Sequence, residues 1–173
     1  MSLILRNLTL ADEAAFFEGM KHWSEKDLAW YTFTWKPGMS YSSMMDILEK
    51  EGQGIDLAPG RVPHSMLYGF VDNKIVGRVS VRHSLNEMLR KRGGNIGYAI
   101  AEPYRRTGYA TEMVRQVFQY CRGLGMDKIM ITCAEENIPS WKIIEKFNGQ
   151  LEDRVWDEED QEMIRRYWIS ITD

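Results

Sequence analysis

Six consecutive residues invite a chemical reading first: Arg105-Arg106-Thr107-Gly108-Tyr109-Ala110. A strand-like run from Asn95 to Ile100 stops at Glu102-Pro103-Tyr104, and an amphipathic helical pattern begins near Gly108. A turn placed between a strand and a helix aims several backbone N–H groups at one point, where the helix dipole adds partial positive charge. Such a turn is an anion site, well matched to a pyrophosphate. Gly108 removes the Cβ where a phosphate must come close. Ala110 keeps the first helical turn thin, and Arg105 and Arg106 add charge at the rim. These residue types predict a phosphate site without saying which nucleotide it takes.

Other chemistries lack their residues. There is no G-x-x-x-x-G-K-[ST] loop, no G-x-G-x-x-G after a strand and no G-x-S-x-G elbow. His22, His64 and His83 stand in no metal-ligand spacing, so no metal is expected. Cys121 and Cys133 form no C-x-x-C pair and fall at apolar positions, which reads as buried core thiols rather than a disulfide scaffold.

The elements that must hold the turn follow from periodicity. Leu3 to Leu8 reads as a first strand, with Thr9 as the cap of a helix whose apolar positions are Ala14, Phe17 and Met20. An aromatic tract follows, Trp23, Trp30, Tyr31, Phe33 and Trp35, closed by Lys36-Pro37-Gly38. Core packing is the default for such rings, and lining an acceptor pocket is the functional alternative. Ser40 to Lys50 reads as a second helix. Met66 to Val71 and Ile75 to Val81 form a hairpin across Asp72-Asn73-Lys74. A short helix fits His83 to Arg92, with Gly93-Gly94 ending it. The helix after Gly108 is the strongest, with Ala110, Met113, Val114, Val117, Phe118, Cys121 and Leu124 on one face. Lys128 to Cys133 is a buried-type strand. Asn137 caps a helix with Trp141, Ile144 and Phe147 inward, and strands over Gln150 to Trp156 and Ile164 to Ile171 close the chain.

Bulk properties set the frame. The 173 residues suit one domain, 1–173, with a lobe in front. A formal charge of −3 argues against a wholesale nucleic-acid footprint. No apolar run approaches the ~20 residues of a membrane span, and the Met1 to Arg6 start is too short for a signal peptide. The expectation is a cytoplasmic enzyme acting away from membranes and nucleic acid.

The turn resembles the R/Q-x-x-G-x-G/A signature of the GNAT (GCN5-related) N-acetyltransferases. Asn137-Ile138-Pro139-Ser140-Trp141-Lys142-Ile143-Ile144-Glu145-Lys146 resembles that family's N-x-x-S-x-x-h-h-E-K segment, h being apolar. The two motifs lie about 30 residues apart, with one helix and one strand between them, as in the family. Arg82-His83-x-Leu85-Asn86, Gly93 to Tyr98 and Arg166 to Ile169 are similar to a subgroup of predicted acetyltransferases whose acceptor is unassigned. The resemblance covers Met66 to Ile171 clearly and the front vaguely.

The resemblance implies an α+β (three-layer α/β) fold with a mixed, mostly antiparallel central sheet of about 6–7 strands flanked by helices. It implies a splayed strand pair that binds CoA, a 66–171 acetyl-CoA-binding core and a variable, helical, acceptor-side part over 1–65. Acetyl-CoA is the implied co-substrate. Backbone groups of Tyr98, Ala99 and Ile100 would meet the pantetheine arm, and an N–H there would polarise the thioester carbonyl. Amides of Arg105, Arg106, Thr107, Gly108, Tyr109 and Ala110 would hold the pyrophosphate. Asn137 and Ser140 fall where the family contacts cofactor, and helix capping is an equal reading for them. Dimers being common among similar proteins, a homodimer is a further expectation.

The implied activity is acetyl transfer from acetyl-CoA to a primary amine of a small molecule or protein, by direct attack in a ternary complex. Many family members use a Tyr as the acid for the leaving thiolate, but that position here is Ile144. Water, or no acid at all, then serves, since a thiolate of cysteine-like pKa leaves tolerably well. His83, Glu87 and Asn95 are the candidates around the amine: His83 as base, Asn95 to position a water or the acceptor. Arg82 suits an acidic or carboxylate-bearing acceptor. The missing Tyr also keeps open a non-catalytic acyl-CoA-binding regulatory module.

Overall fold

The hairpin expected over residues 66–81 is the middle of the fold in the computed structural model, which describes residues 2–172. In chain order the elements are β1 (Ile4–Arg6), α1 (Glu13–Met20), α2 (Glu25–Thr32), α3 (Tyr41–Gly52), β2 (His64–Val71), β3 (Lys74–Arg82), α4 (Glu87–Lys91), β4 (Ile96–Ile100), α5 (Tyr109–Gly123), β5 (Lys128–Ala134), α6 (Ile138–Lys146), β6 (Gln150–Asp157) and β7 (Glu162–Ser170). The strands form two antiparallel sheets, ordered β1-β2-β3-β4 and β5-β7-β6. The architecture is α+β, as the sequence implied, with seven strands flanked by helices; the expected single mixed sheet is divided into these two antiparallel ones.

Local chemistry explains most boundaries. Asp72 and Asn73 take φ of 48° and 61° between β2 and β3, the left-handed pair that a two-residue hairpin turn requires. The α5 stripe buries Met113, Val114, Val117, Phe118 and Cys121 against both sheets. Each such side chain contributes about 1.5–3 kcal/mol. Leu124, expected on that face, is exposed because the helix has already ended at Gly123. Cys121 and Cys133 are free and buried.

The front of the chain differs from expectation in detail. The first strand is only three residues long, and the segment after Thr9 begins as a 3-10 turn, Leu10–Asp12. Asp12 accepts from Thr9 N at 2.7 Å and pairs with Arg6, which draws its carboxyl down to about 2. On α1, Phe16 and Gly19 face inward while Ala14 is exposed, so the buried stripe is shifted from the predicted one. The aromatic tract contains α2, capped by Ser24 Oγ on Asp27 N at 3.2 Å; its aromatic run carried no clean helical period. α4 is shorter than predicted, because Asn86 caps it at Leu89 N.

The tract's rings form a second core around Phe16, Tyr31, Tyr41, Met44 and Tyr68. Phe16 stacks on Tyr31 at 5.3 Å, Trp23 stacks on Tyr31 at 5.1 Å, and the Tyr31 hydroxyl donates to Phe16 O. The default reading of these aromatics therefore accounts for most of them. Among the described residues no helix is long and apolar enough to cross a membrane.

Candidate active site

The two sheets meet at one short junction. Asn95 N donates to Met130 O at 2.7 Å, and the Asn95 side chain returns the contact by accepting from Met130 N at 2.8 Å. Gly93 N donates to Thr132 Oγ1 at 2.8 Å. Gly94 sits there at φ 61°, where a Cβ would stand 2.4 Å from Met130 O, so the approach demands glycine. Beyond this junction β4 and β5 share no ladder and diverge.

The gap that opens is a cleft of about 300 Å³, with Gly97, Tyr98 and Ala99 on one wall and Thr132 and Cys133 on the other. Arg82 N donates to Asn95 O and Ala101 N to Val76 O, so the odd-numbered residues of β4 face β3. The alternation of an antiparallel ladder then turns the Tyr98 N–H and C=O into the gap. The Tyr98 hydroxyl lies 3.0 Å from Ser140 Oγ, and burial pushes it up to about 12. Burial likewise holds the Cys133 thiol at about 11, so both stay protonated near neutral pH.

A wider cavity of about 760 Å³ continues from this cleft across the start of α5. Gly108 is the N-cap at φ 86°, and no side chain caps the helix there, so its first N–H groups are open to a ligand. Arg106 also takes a left-handed φ of 61°. Arg105 Nε donates to Ile100 O at 3.1 Å, tying the turn to β4, and its Nη2 lies 3.8 Å from Asp27.

Of the residues expected at the cofactor, Tyr98, Ala99, Ile100, Arg105, Arg106, Gly108, Tyr109, Ala110, Asn137 and Ser140 line these two connected spaces. Thr107 does not; its hydroxyl donates to Tyr104 O at 2.6 Å and steadies the turn. Asn137 caps α6 through Ser140 N at 3.3 Å while also lining the cleft, so capping and cleft position coexist.

The expected acid–base residues lie elsewhere. His83 is hydrogen-bonded through Nε2 to Ser65 Oγ at 2.8 Å and lines cavities outside the cleft, with its pKa lowered by burial and by His64. Glu87 is an exposed first-turn residue of α4. Asn95 is buried and spends its side chain on Met130 N and Arg82 O. None of the three lines the cleft. Trp23 and Trp30, two of the rings for which pocket lining was the alternative to core packing, close the cleft from α2 and the turn before it, together with Asp27, which the sequence did not single out. The Ser24 cap and the Asp27 beside it were the available signal. Ile144 is fully buried, so α6 offers no proton donor there. Among the described residues no group of three His, Cys, Asp or Glu is placed to hold a metal.

Comparison with known proteins agrees with this geometry. The acetyltransferase (GNAT) domain family matches residues 2–150. A Bacillus subtilis (strain 168) protein, the uncharacterized N-acetyltransferase YnaD, is 31% identical over 58 residues, a match spanning 33% of this chain and 34% of that protein. The ribosomal-protein-S5-alanine acetyltransferase from Vibrio fischeri superposes with a TM-score of 0.67 at 14% identity, over 100% of this chain and 95% of that one. RimL, a ribosomal L7/L12 alpha-N-protein acetyltransferase solved in complex with coenzyme A, gives 0.64 at 16% identity over 98% and 94%. At these identities the structural likenesses speak for the fold, and the family match speaks for the chemistry. With its uncapped helix start beside a splayed strand pair, the chain belongs to the GNAT acetyltransferase domain family.

Proposed function

We propose that this protein moves the acetyl group of acetyl-CoA to a primary amine by direct attack in a ternary complex. The observation that carries the reading is the continuity of the β4–β5 cleft with the uncapped N-terminus of α5. A long cofactor with a pyrophosphate at one end and a thioester at the other suits that shape. The solved CoA complex of RimL, a protein of similar fold, supports the same choice.

In this reading the amides of the Arg105–Ala110 turn bind the pyrophosphate, with Arg105 and Arg106 adding charge. The pantetheine arm runs along Tyr98 to Ile100, between β4 and the start of α6, with Asn137 and Ser140 at its side. The backbone N–H of Tyr98 faces the gap and can donate to the thioester oxygen as negative charge develops on it. The amine nitrogen forms a C–N bond to the acetyl carbon, the C–S bond breaks, and the amine proton leaves to solvent. The CoA thiolate departs without a side-chain acid from α6, where Ile144 sits. Residues 66–171 form the cofactor-binding core and residues 1–65 the acceptor side, through Trp23, Asp27 and Trp30.

Release of free thiol from acetyl-CoA across an amine panel tests this. Amine-dependent release with formation of the N-acetyl product is the expected result. CoA binding with no turnover on any amine would favour a binding module instead.

A further inference from the structure

One face of β3 carries charge that nothing in the described chain neutralises. Alternation sends Val79 and Val81 into the α5 core and Arg78, Ser80 and Arg82 to the opposite side. Arg78 is 1% exposed, yet among the described residues its Nε has no partner and its Nη1 donates only to Trp30 O. Its guanidinium lies 3.7 Å from the Trp30 ring centroid and 5.1 Å from that of Phe33. Ser80 Oγ, equally buried, is also unpartnered. Arg82 donates from Nη1 to Gly93 O at 3.0 Å and lies over Gly97. Arg61 stands over Phe33 at 4.7 Å.

Among the described residues no carboxylate forms an ion pair with any of these three arginines. Glu51 is engaged by His64 Nε2 at 3.2 Å and by Thr34 Oγ1 at 3.1 Å. Asp27 accepts from Ser24 Oγ and faces Arg105. A buried guanidinium without a counter-charge is costly, and ring stacking offsets only part of that cost. Burial and the neighbouring Arg61 push Arg82 down to about 10, the mark of a site short of negative charge.

The placement links this wall to the cleft. Trp30, against which Arg78 rests, lines the cleft with Tyr98 and Ala99, and so does Gly97 beneath Arg82. On its other side Arg82 faces a cavity of about 200 Å³ that also holds Arg61, Phe33 and Met66. An anion there would gain the forked, bidentate contact that guanidinium makes with a planar carboxylate. Polycations would meet like charge.

Resting on the acetyl-transfer reading above, we propose that the acceptor is a small amine bearing a carboxylate. The carboxylate docks on Arg82 and Arg61, backed by Arg78 and Ser80, while the amine reaches the thioester in the cleft.

Thiol release from acetyl-CoA is compared for free amino acids, their primary amides, spermidine, phosphoethanolamine and short peptides. The expected result is a kcat/KM for the best amino carboxylate on the order of 30-fold above that of its amide, as loss of a charged hydrogen bond in a desolvated site predicts. Arg82→Gln should collapse that ratio while CoA still protects the variant against heat. Arg61→Gln, on an exposed loop where folding is not at stake, should narrow it as well. Amides or spermidine matching the carboxylates, or a preference that survives both substitutions, would overturn the inference. Preference for phosphoethanolamine or for peptides would overturn the carboxylate or the small-molecule assignment. Turnover of amines without a preference for the carboxylates counts against this inference alone, whereas CoA protection with no acceptor turned over, or absence of CoA protection in the wild type, sinks the reading beneath it.

Discussion

At the scale of single residues, Gly108 separates backbone geometry from ligand contact. It sits at φ 86° with nothing within 4 Å of where a Cβ would go, so a side chain fits but is strained. Gly108→Val should therefore fold, at a cost of about 1–3 kcal/mol. The KM for acetyl-CoA should rise at least about 10-fold, since roughly 1.4 kcal/mol of lost phosphate contact suffices for that. Unchanged cofactor kinetics would remove the pyrophosphate from the turn. His83 gives the opposite kind of test. Burial and His64 lower its pKa, so the folded state resists a proton that the unfolded chain takes up near ~6.5. Stability is then full above that value and declines as the pH falls through it towards the lower folded pKa. His83→Gln should flatten that part of a Tm-against-pH curve and leave the pH profile of kcat/KM unchanged. A lost low-pH limb in the rate profile would return His83 to the chemistry.

At the scale of elements, the β4–β5 junction is the hinge of the site. The two sheets are held at this edge by Asn95, Gly93 and the bare Cα of Gly94, and they part immediately beyond. Asn95→Ala removes the acceptor for Met130 N and the donor to Arg82 O inside the protein. Two lost hydrogen bonds and an orphaned amide should cost about 2–4 kcal/mol, read as a lower denaturation midpoint with unchanged m-value. Asn95→Asp, which keeps the acceptor, should recover part of it; equal losses would mean the side chain acts only by filling space. The strong α5 stripe and the hairpin turn were legible because period and turn chemistry are local. Helix α2 was not, because Trp23, Trp30, Tyr31 and Phe33 follow two different surfaces, the second core and the cleft, and so show no single period.

At the scale of the whole molecule, cofactor binding should stiffen the open side of the two sheets. CoA at about 100 times its Kd should add ~2.7 kcal/mol to stability, a Tm rise of roughly 5–10 °C for a chain of this size. ATP and NAD at the same concentrations should give much less; equal protection by ATP would reduce the site to a general nucleotide pocket. The sequence by itself determined the α5 helix, the hairpin, the glycine-bearing turn that opens α5 and, through Asn137 to Lys146, the family, since each is written in consecutive residues. Only the tertiary structure decided which side chains meet in the cleft. It took His83 away to Ser65, gave Asn95 to the sheet junction, and brought Trp23, Asp27 and Trp30 across to face Tyr98. It also showed that three arginines of one wall, two of them on a single face of β3, form no ion pair with a carboxylate among the described residues. Strand alternation says which face a residue takes, but whether a counter-charge waits there depends on segments far away in the chain, and no local pattern encodes that.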